Sequence, residues 1–69
     1  MSTTELITRS KVFLEWAGLN PSKWTYKVVM TEFGQHVNAT QIGTHNIVRV
    51  ANYSSRTGRV TTPLNQMFA

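Results

Sequence analysis

Residues 38–57, NATQIGTHNIVRVANYSSRT, decide the predicted fold of this chain. Asn38 is a suitable N-cap for a short helix over 38–43, because its side-chain oxygen can accept a bond from an orphan backbone amide. Gly43 suits the turn after that helix, since glycine adopts a positive φ without steric cost. A second helix over 45–57 would follow directly. The stretch therefore predicts two short helices joined by a tight turn.

The segment 45–57 separates into two faces when it is drawn as a helix. One face carries apolar and small side chains, and the opposite face carries polar and basic ones. The first set is Ile47, Val50, Ala51 and Ser54, and the second set is His45, Arg49, Asn52 and Arg56. A strand remains the alternative, because Val48, Val50 and Tyr53 are also typical of strands.

The segment 4–17 predicts an amphipathic helix on the N-terminal side. Its apolar side chains share one face: Leu6, Ile7, Phe13, Leu14 and Ala17. Ser2, Thr3 or Thr4 can cap its start, and Gly18 can end it. We expect this helix to complete the core or to form a dimer contact.

The segment 21–33 predicts another helix. Asn20 is a good N-cap, and Pro21 is favoured at the first helical position. Helical spacing then places four side chains on one face: Tyr26, Val29, Met30 and Phe33. Strand propensity competes here as well, because Trp24, Tyr26, Val28 and Val29 all favour strands. The caps and the period together favour the helix.

This arrangement resembles the helix-turn-helix family of DNA-binding proteins, and in its last third the winged variant. Ala39 lies where the first helix of the pair needs a small residue, Ile42 where it needs a core anchor, and Gly43 at the turn. The resemblance implies a mainly α fold, a small helix-turn-helix domain with an extra N-terminal helix. Its segments are an accessory or dimerisation helix at 4–17, a tri-helical core at 21–33, 38–43 and 45–57, and a candidate β-hairpin wing at 59–68.

A second, local resemblance covers residues 36–42, HVNATQI, which look like the VNAT stretch of the KilA-N domain found in viral and phage proteins. This resemblance also implies DNA binding.

The charge distribution favours a polyanionic partner. Seven Lys and Arg residues against three acids give a net charge of +4 and an isoelectric point near 10.2. The first 32 residues are nearly balanced, whereas the second half holds Arg49, Arg56 and Arg59 without any acid. The guanidinium fork of arginine suits phosphates and guanine edges.

Length and composition exclude several classes of protein. Sixty-nine residues predict a single domain over 1–69, and the absence of cysteine rules out disulfides and thiolate metal sites. The chain lacks aspartate, a phosphate-binding loop and metal-ligand spacing, so we expect no enzymatic activity, no cofactor and no small-molecule substrate. No apolar run approaches the length of a membrane span, which is about 18 residues. We expect a soluble cytoplasmic protein, or one in the host cell interior if it is viral.

These observations predict a small sequence-specific protein that binds double-stranded DNA, probing the major groove with the helix around 45–57. Such a protein would be a transcriptional regulator of viral, phage or plasmid type, and a homodimer would strengthen its binding. The predicted DNA-binding residues are Thr44, His45, Asn46, Arg49, Asn52, Arg56 and Arg59. The alternative is a non-enzymatic protein-interaction module, such as a phage-type inhibitor or accessory subunit, that docks through Trp16, Trp24 and Phe68.

Overall fold

The computed structural model describes residues 2–64, which form one helix and a four-stranded antiparallel sheet. The elements in chain order are α1 (Thr3–Trp16), a 3-10 helix (Pro21–Lys23), β1 (Trp24–Thr31), β2 (Gly34–Gln41), β3 (Ile47–Ser54) and β4 (Arg59–Thr61). The strand order in the sheet is β1-β2-β3-β4, so each strand pairs with the next one along the chain. Helix α1 packs on one face of the sheet, and the molecule has two layers.

The predicted mainly α fold is wrong. The segments 21–33, 38–43 and 45–57, which were expected to be the tri-helical core, instead contain β1, the end of β2 and β3. No helix-turn-helix exists among residues 2–64, because the segments predicted as its two helices, 38–43 and 45–57, instead contain the end of β2 and all of β3. The strand propensity of these segments, together with hydrogen bonds from neighbouring strands, outweighs the helical spacing of their apolar residues.

The helix predicted over 4–17 is confirmed as α1. The Ser2 side chain caps it by accepting a hydrogen bond from the backbone N–H of Glu5, at 3.2 Å. Glu5 also places a negative charge at the positive end of the helix dipole. The helix ends before Gly18, whose φ of +82° is in the left-handed region that glycine adopts most readily.

The core lies between α1 and the sheet. Leu6 and Leu14 are fully buried, and Ser10 between them hides its hydroxyl by donating to the backbone carbonyl of Leu6 at 2.8 Å. The strands contribute Val37, Ala39, Val50 and Ala51, which are also fully buried. Leu64 closes the core after β4.

Strand β1 explains why the predicted helix over 21–33 fails. Asn20 and Pro21 do start a helix, but it is a single 3-10 turn that ends at Lys23. Trp24, Tyr26 and Val28 then alternate with exposed residues and pack against the core, which is the two-residue period of a strand.

Strand β3 carries a β-bulge that the sequence pattern conceals. Val37 pairs with Ala51 whereas Asn38 pairs with Arg49, so Val50 is an extra residue opposite this point of β2. Val50 and Ala51 are both buried as a result. Two adjacent buried residues break the alternation of a regular strand and imitate a helical pattern.

The turn and wing predictions are partly right. Gly43 has the expected positive φ, +85°, but it lies in the loop that joins β2 to β3 rather than between two helices. Residues 59–61 are extended as expected, and they pair with β3 as β4. The second half of the candidate wing, residues 65–68, lies outside the described residues.

Within residues 2–64, the helices are too short and too polar to cross a membrane.

Candidate nucleic-acid interface

The sheet has an outer face, defined as the face that α1 leaves uncovered. Its side chains form four rows that cross the strands. The rows are Thr25–Thr40–Ile47, Lys27–Asn38–Arg49, Val29–His36–Asn52–Thr61 and Thr31–Gly34–Ser54–Arg59. Cross-strand partners share a face of a sheet, so these residues lie opposite the core residues of the same strands.

The bulge at Val50 determines which side chains reach the outer face. In a regular strand, Arg49 and Asn52 would point to opposite faces, because they are three positions apart along the strand. The extra residue shifts the alternation by one position, and Arg49 and Asn52 therefore both point outward. Their cross-strand partners Asn38 and His36 on β2 lie beside them.

The outer face is positively charged and has no carboxylate. Lys27, Arg49 and Arg59 are exposed on β1, β3 and β4. The three acids of the chain lie elsewhere: Glu5 and Glu15 on α1, and Glu32 in the turn between β1 and β2. Among the described residues the one ion pair joins Arg9 to Glu5 on α1, at 3.8 Å, so no acid neutralises the outer face directly.

The central row, Lys27–Asn38–Arg49, concentrates this charge. Neighbouring strands lie about 4.8 Å apart, which places the backbones of the two basic residues about 10 Å from each other, with Asn38 between them. The row also affects His36. Partial burial lowers the pKa of the His36 imidazole, and the positive charge of Arg49 lowers that pKa further. The neutral imidazole can therefore act both as a hydrogen-bond donor and as an acceptor near pH 7.

The outer face is mostly polar. Its two large apolar residues are Val29 and Ile47, and Ile47 is 64% exposed near one end. Most of its other side chains carry hydroxyl, amide or cationic groups. Hydrogen-bonding and charged ligands suit such a surface better than an apolar partner does.

The structure brings together three of the seven predicted DNA-binding residues. Arg49, Asn52 and Arg59 all lie on the outer face, although they lie on strands and not on a recognition helix with a wing.

The other four predicted residues lie at opposite ends of the sheet. Thr44, His45 and Asn46 are in the exposed loop after β2, and the side chain of Thr44 is engaged within that loop through a bond to the Gln41 carbonyl at 3.2 Å. Arg56 is in the turn after β3, where its guanidinium lies 4.4 Å from the centre of the Phe33 ring. The eight residues of β3 separate the two groups by about 23 Å.

Among the outer-face residues that sequence reasoning missed are one cation, one imidazole and one amide: Lys27, His36 and Asn38. Lys27 alternates with Trp24, Tyr26 and Val28, and this alternation could have identified it as the outward position of a strand. His36 and Asn38 belong to the stretch that resembles KilA-N, which forms most of β2 and the start of the following loop. Their alternation with the buried Val37 and Ala39 was the available signal.

The aromatic residues named for protein docking occupy different environments. Trp24 is half-buried and packs against the core, whereas Trp16 is 78% exposed at the end of α1 and meets the edge of the Phe13 ring. Phe68 lies outside the described residues. Within residues 2–64, no group of three His, Asp or Glu side chains is close enough to hold a metal ion.

No family model matches this chain, and no curated protein and no solved structure is significantly similar to it.

Proposed function

We propose that this protein binds double-stranded DNA through the outer face of its sheet, which would make it a small sequence-specific regulator of transcription. The observation that carries the proposal is a sheet face that, among residues 2–64, has three exposed cations, no carboxylate and no covering layer. Such a face attracts the phosphate backbone by releasing condensed counterions.

Hydrogen-bonding side chains beside the cations support sequence recognition. Phosphate contacts position a protein on DNA, and contacts to base edges specify the sequence. Asn38 and Asn52 can each pair with an adenine edge, and Arg49 can pair with a guanine edge. The face therefore offers groups for phosphate contacts and groups for base contacts. A surface that is only exposed to solvent does not need both.

A salt series with a charge-matched control tests the proposal. The triple variant Lys27→Ala, Arg49→Ala, Arg59→Ala removes the cations of the outer face. The control Arg9→Ala, Lys11→Ala, Lys23→Ala removes the same number of charges from α1 and the 3-10 helix. Binding to a random duplex is measured by fluorescence anisotropy between about 50 and 200 mM salt.

The wild type is expected to lose affinity steeply with salt, with a log–log slope of about −3 if all three cations meet phosphates. The control should keep most of that slope, and the outer-face variant should lose nearly all of it. Circular dichroism and thermal melts confirm that both variants fold. Equal losses in the two variants would mean that only net charge matters. A wild type that binds no duplex at low salt would refute DNA binding and favour a protein partner.

Self-association through α1 is a second candidate function, favoured by the exposure of Trp16. An indole that is 78% exposed beside Val12, one turn earlier and 37% exposed, forms an apolar strip on the solvent side of the helix. A second copy of this chain is the partner we propose, because a dimer would double the DNA contact of a small module. Sedimentation of the wild type and of Trp16→Ala tests this. A wild type that stays monomeric at high micromolar concentration would refute the dimer.

A further inference from the structure

We infer that the outer face enters the major groove of B-form DNA with β2 and β3 inside the groove, while β1 and β4 face the two phosphate backbones. This inference rests on the proposed function. It adds which groove of the DNA is bound and what each side chain contacts there. Asn38, Arg49 and Asn52 would contact base edges. Lys27 and Arg59 would contact phosphates on opposite sides of the groove.

The dimensions of the sheet fit this placement. The major groove is about 12 Å wide and admits a two-stranded ribbon. Strands β2 and β3 form such a ribbon at the centre of the sheet, paired over seven positions. The axes of β1 and β4 lie about 14 Å apart, three strand spacings, which is close to the groove width. The outer strands therefore meet the groove edges where the phosphates lie.

The side chains on the outer face differ between the central strands and the edge strands of the sheet. The central strands carry the amides of Asn38 and Asn52 and the guanidinium of Arg49, which are the side chains that make bidentate contacts to adenine and guanine. The outermost charged residues are Lys27 on β1 and Arg59 on β4. Lysine acts on phosphate as a point charge and lacks the planar fork of arginine. The amides thus lie on the central strands, and each of the two edge strands carries a cation.

The orientation of the aromatic residues favours a duplex over a single strand. Proteins that bind single strands stack bases on exposed aromatic rings. The rings of Trp24, Tyr26 and Tyr53 instead pack against the core, and the Tyr26 hydroxyl is held by the Pro21 carbonyl at 2.6 Å. Among the described residues, His36 supplies the one aromatic ring on the outer face. A-form RNA is also unsuitable, because its major groove is too narrow for side chains to enter.

Methylation interference on a selected duplex tests which groove of the DNA the sheet enters. Duplexes that bind the full-length protein are first selected from a random DNA pool. They are then treated with dimethyl sulfate, which methylates guanine N7 in the major groove and adenine N3 in the minor groove. Interference from N7 adducts is the expected result. Interference from N3 adducts alone would overturn the inference, as would equal affinity for single-stranded DNA or duplex RNA of the same sequence.

Single variants test the separate roles of the strands. Arg49→Ala, Asn38→Ala and Asn52→Ala should each reduce the preference for the selected duplex over a random one by about 5- to 150-fold. Lys27→Ala and Arg59→Ala should weaken binding to all duplexes equally and make the salt slope shallower by about 1. Arg9→Ala on α1 serves as the matched control and should change neither quantity.

Arg49→Lys separates base recognition from charge. Lysine keeps the positive charge but lacks the planar fork, so this variant should retain the salt slope and lose most of the preference for the selected duplex. Retained preference would overturn the assignment of Arg49 to a base edge.

The proposed function and this inference fail in different ways. If the wild type binds duplex DNA with a steep salt dependence but Lys27→Ala reduces sequence preference as much as Arg49→Ala does, the assigned roles are wrong and DNA binding stands. If the wild type binds no duplex at any salt concentration, both are refuted.

Discussion

The two faces of the sheet use the same strands for opposite purposes. The inner face buries Val37, Ala39, Val50 and Ala51 against α1, and these side chains are fully inaccessible to solvent. The outer face, one residue away along each strand, carries Lys27, Asn38 and Arg49, and no other part of residues 2–64 packs on top of it. Adjacent residues in the sequence therefore differ in whether they are buried in the core or exposed on the outer face.

Mutations on the inner face should therefore affect folding, and mutations on the outer face should affect binding. Apolar burial contributes about 25 cal/mol per Å² and is concentrated on the inner face. Outer-face side chains remain in water and add little to the free energy of unfolding. A small domain has a small margin of stability, so inner-face changes should dominate its folding.

Leu14→Ala should have the largest effect on folding. Leu14 is fully buried between α1 and the sheet, so its truncation leaves a cavity and should lower the free energy of unfolding by about 3–5 kcal/mol. Ile47→Ala removes a similar side chain that is 64% exposed on the outer face and should cost less than about 1 kcal/mol. Urea titrations of both variants measure the difference. Similar losses would mean that the outer face is buried in solution.

Gly34→Ala should have the next largest effect. A Cβ at Gly34 would collide with the backbone carbonyl oxygen of Tyr53 on β3, so the two central strands would have to separate. We expect a loss of about 2–3 kcal/mol. Gly43→Ala is the control, because a Cβ there meets open space and only the left-handed backbone, at φ +85°, costs about 1–2 kcal/mol. If thermal melts rank Gly43→Ala as the more damaging change, the pairing of Gly34 with β3 is incorrect.

Arg49→Ala should change DNA binding rather than folding. We expect duplex affinity to fall by about 1–3 kcal/mol with an unchanged melting temperature, because Arg49 lies exposed on the outer face. Arg56→Ala removes the same side chain from the turn after β3, where it stacks on Phe33 at one end of the sheet. It should weaken binding less. Equal losses of duplex affinity in anisotropy titrations of the two variants would mean that the contact surface reaches that end of the sheet.

Acidification should have the smallest effect, through His36. Burial and the neighbouring Arg49 lower the pKa of its imidazole in the folded protein. The unfolded chain then binds more protons at mildly acidic pH, so stability should decrease as the pH falls below the ordinary histidine pKa of about 6.5 and stay constant above it. Thermal melts at pH 7 and pH 5, with His36→Gln as the variant that removes this dependence, measure it. A wild type and variant with the same pH profile would contradict the assignment.

Part of the candidate site could be predicted from the sequence. The absence of acids beyond Glu32 and the presence of Arg49, Asn52 and Arg59 are visible in the sequence, and all three of these residues lie on the outer face. Lys27 could not be added to them while the segment 21–33 was assigned to a helix. The helical wheel over 45–57 grouped Arg49 with Asn52 for the wrong reason, because the bulge at Val50 and not helical spacing places them together.

The features that depend on near neighbours along the chain could be predicted from the sequence alone. Helix α1, the cap at Ser2, the left-handed glycines at 18 and 43 and the overall positive charge all follow from side chains within a few residues of one another. The hydrogen bonds of a helix close within four residues, which makes them readable from a local pattern.

Whether β1 and β3 form helices or strands depends on their pairing in the folded sheet. Their apolar residues fit both periods, and the backbone bonds that stabilise the strands come from partners far along the chain, such as Val37 for Ala51. Those pairings also create the bulge and thereby the outer face. A strand acquires its stability and its two faces from its neighbours in the sheet, and for this reason the surface proposed to bind DNA became visible only in the folded molecule.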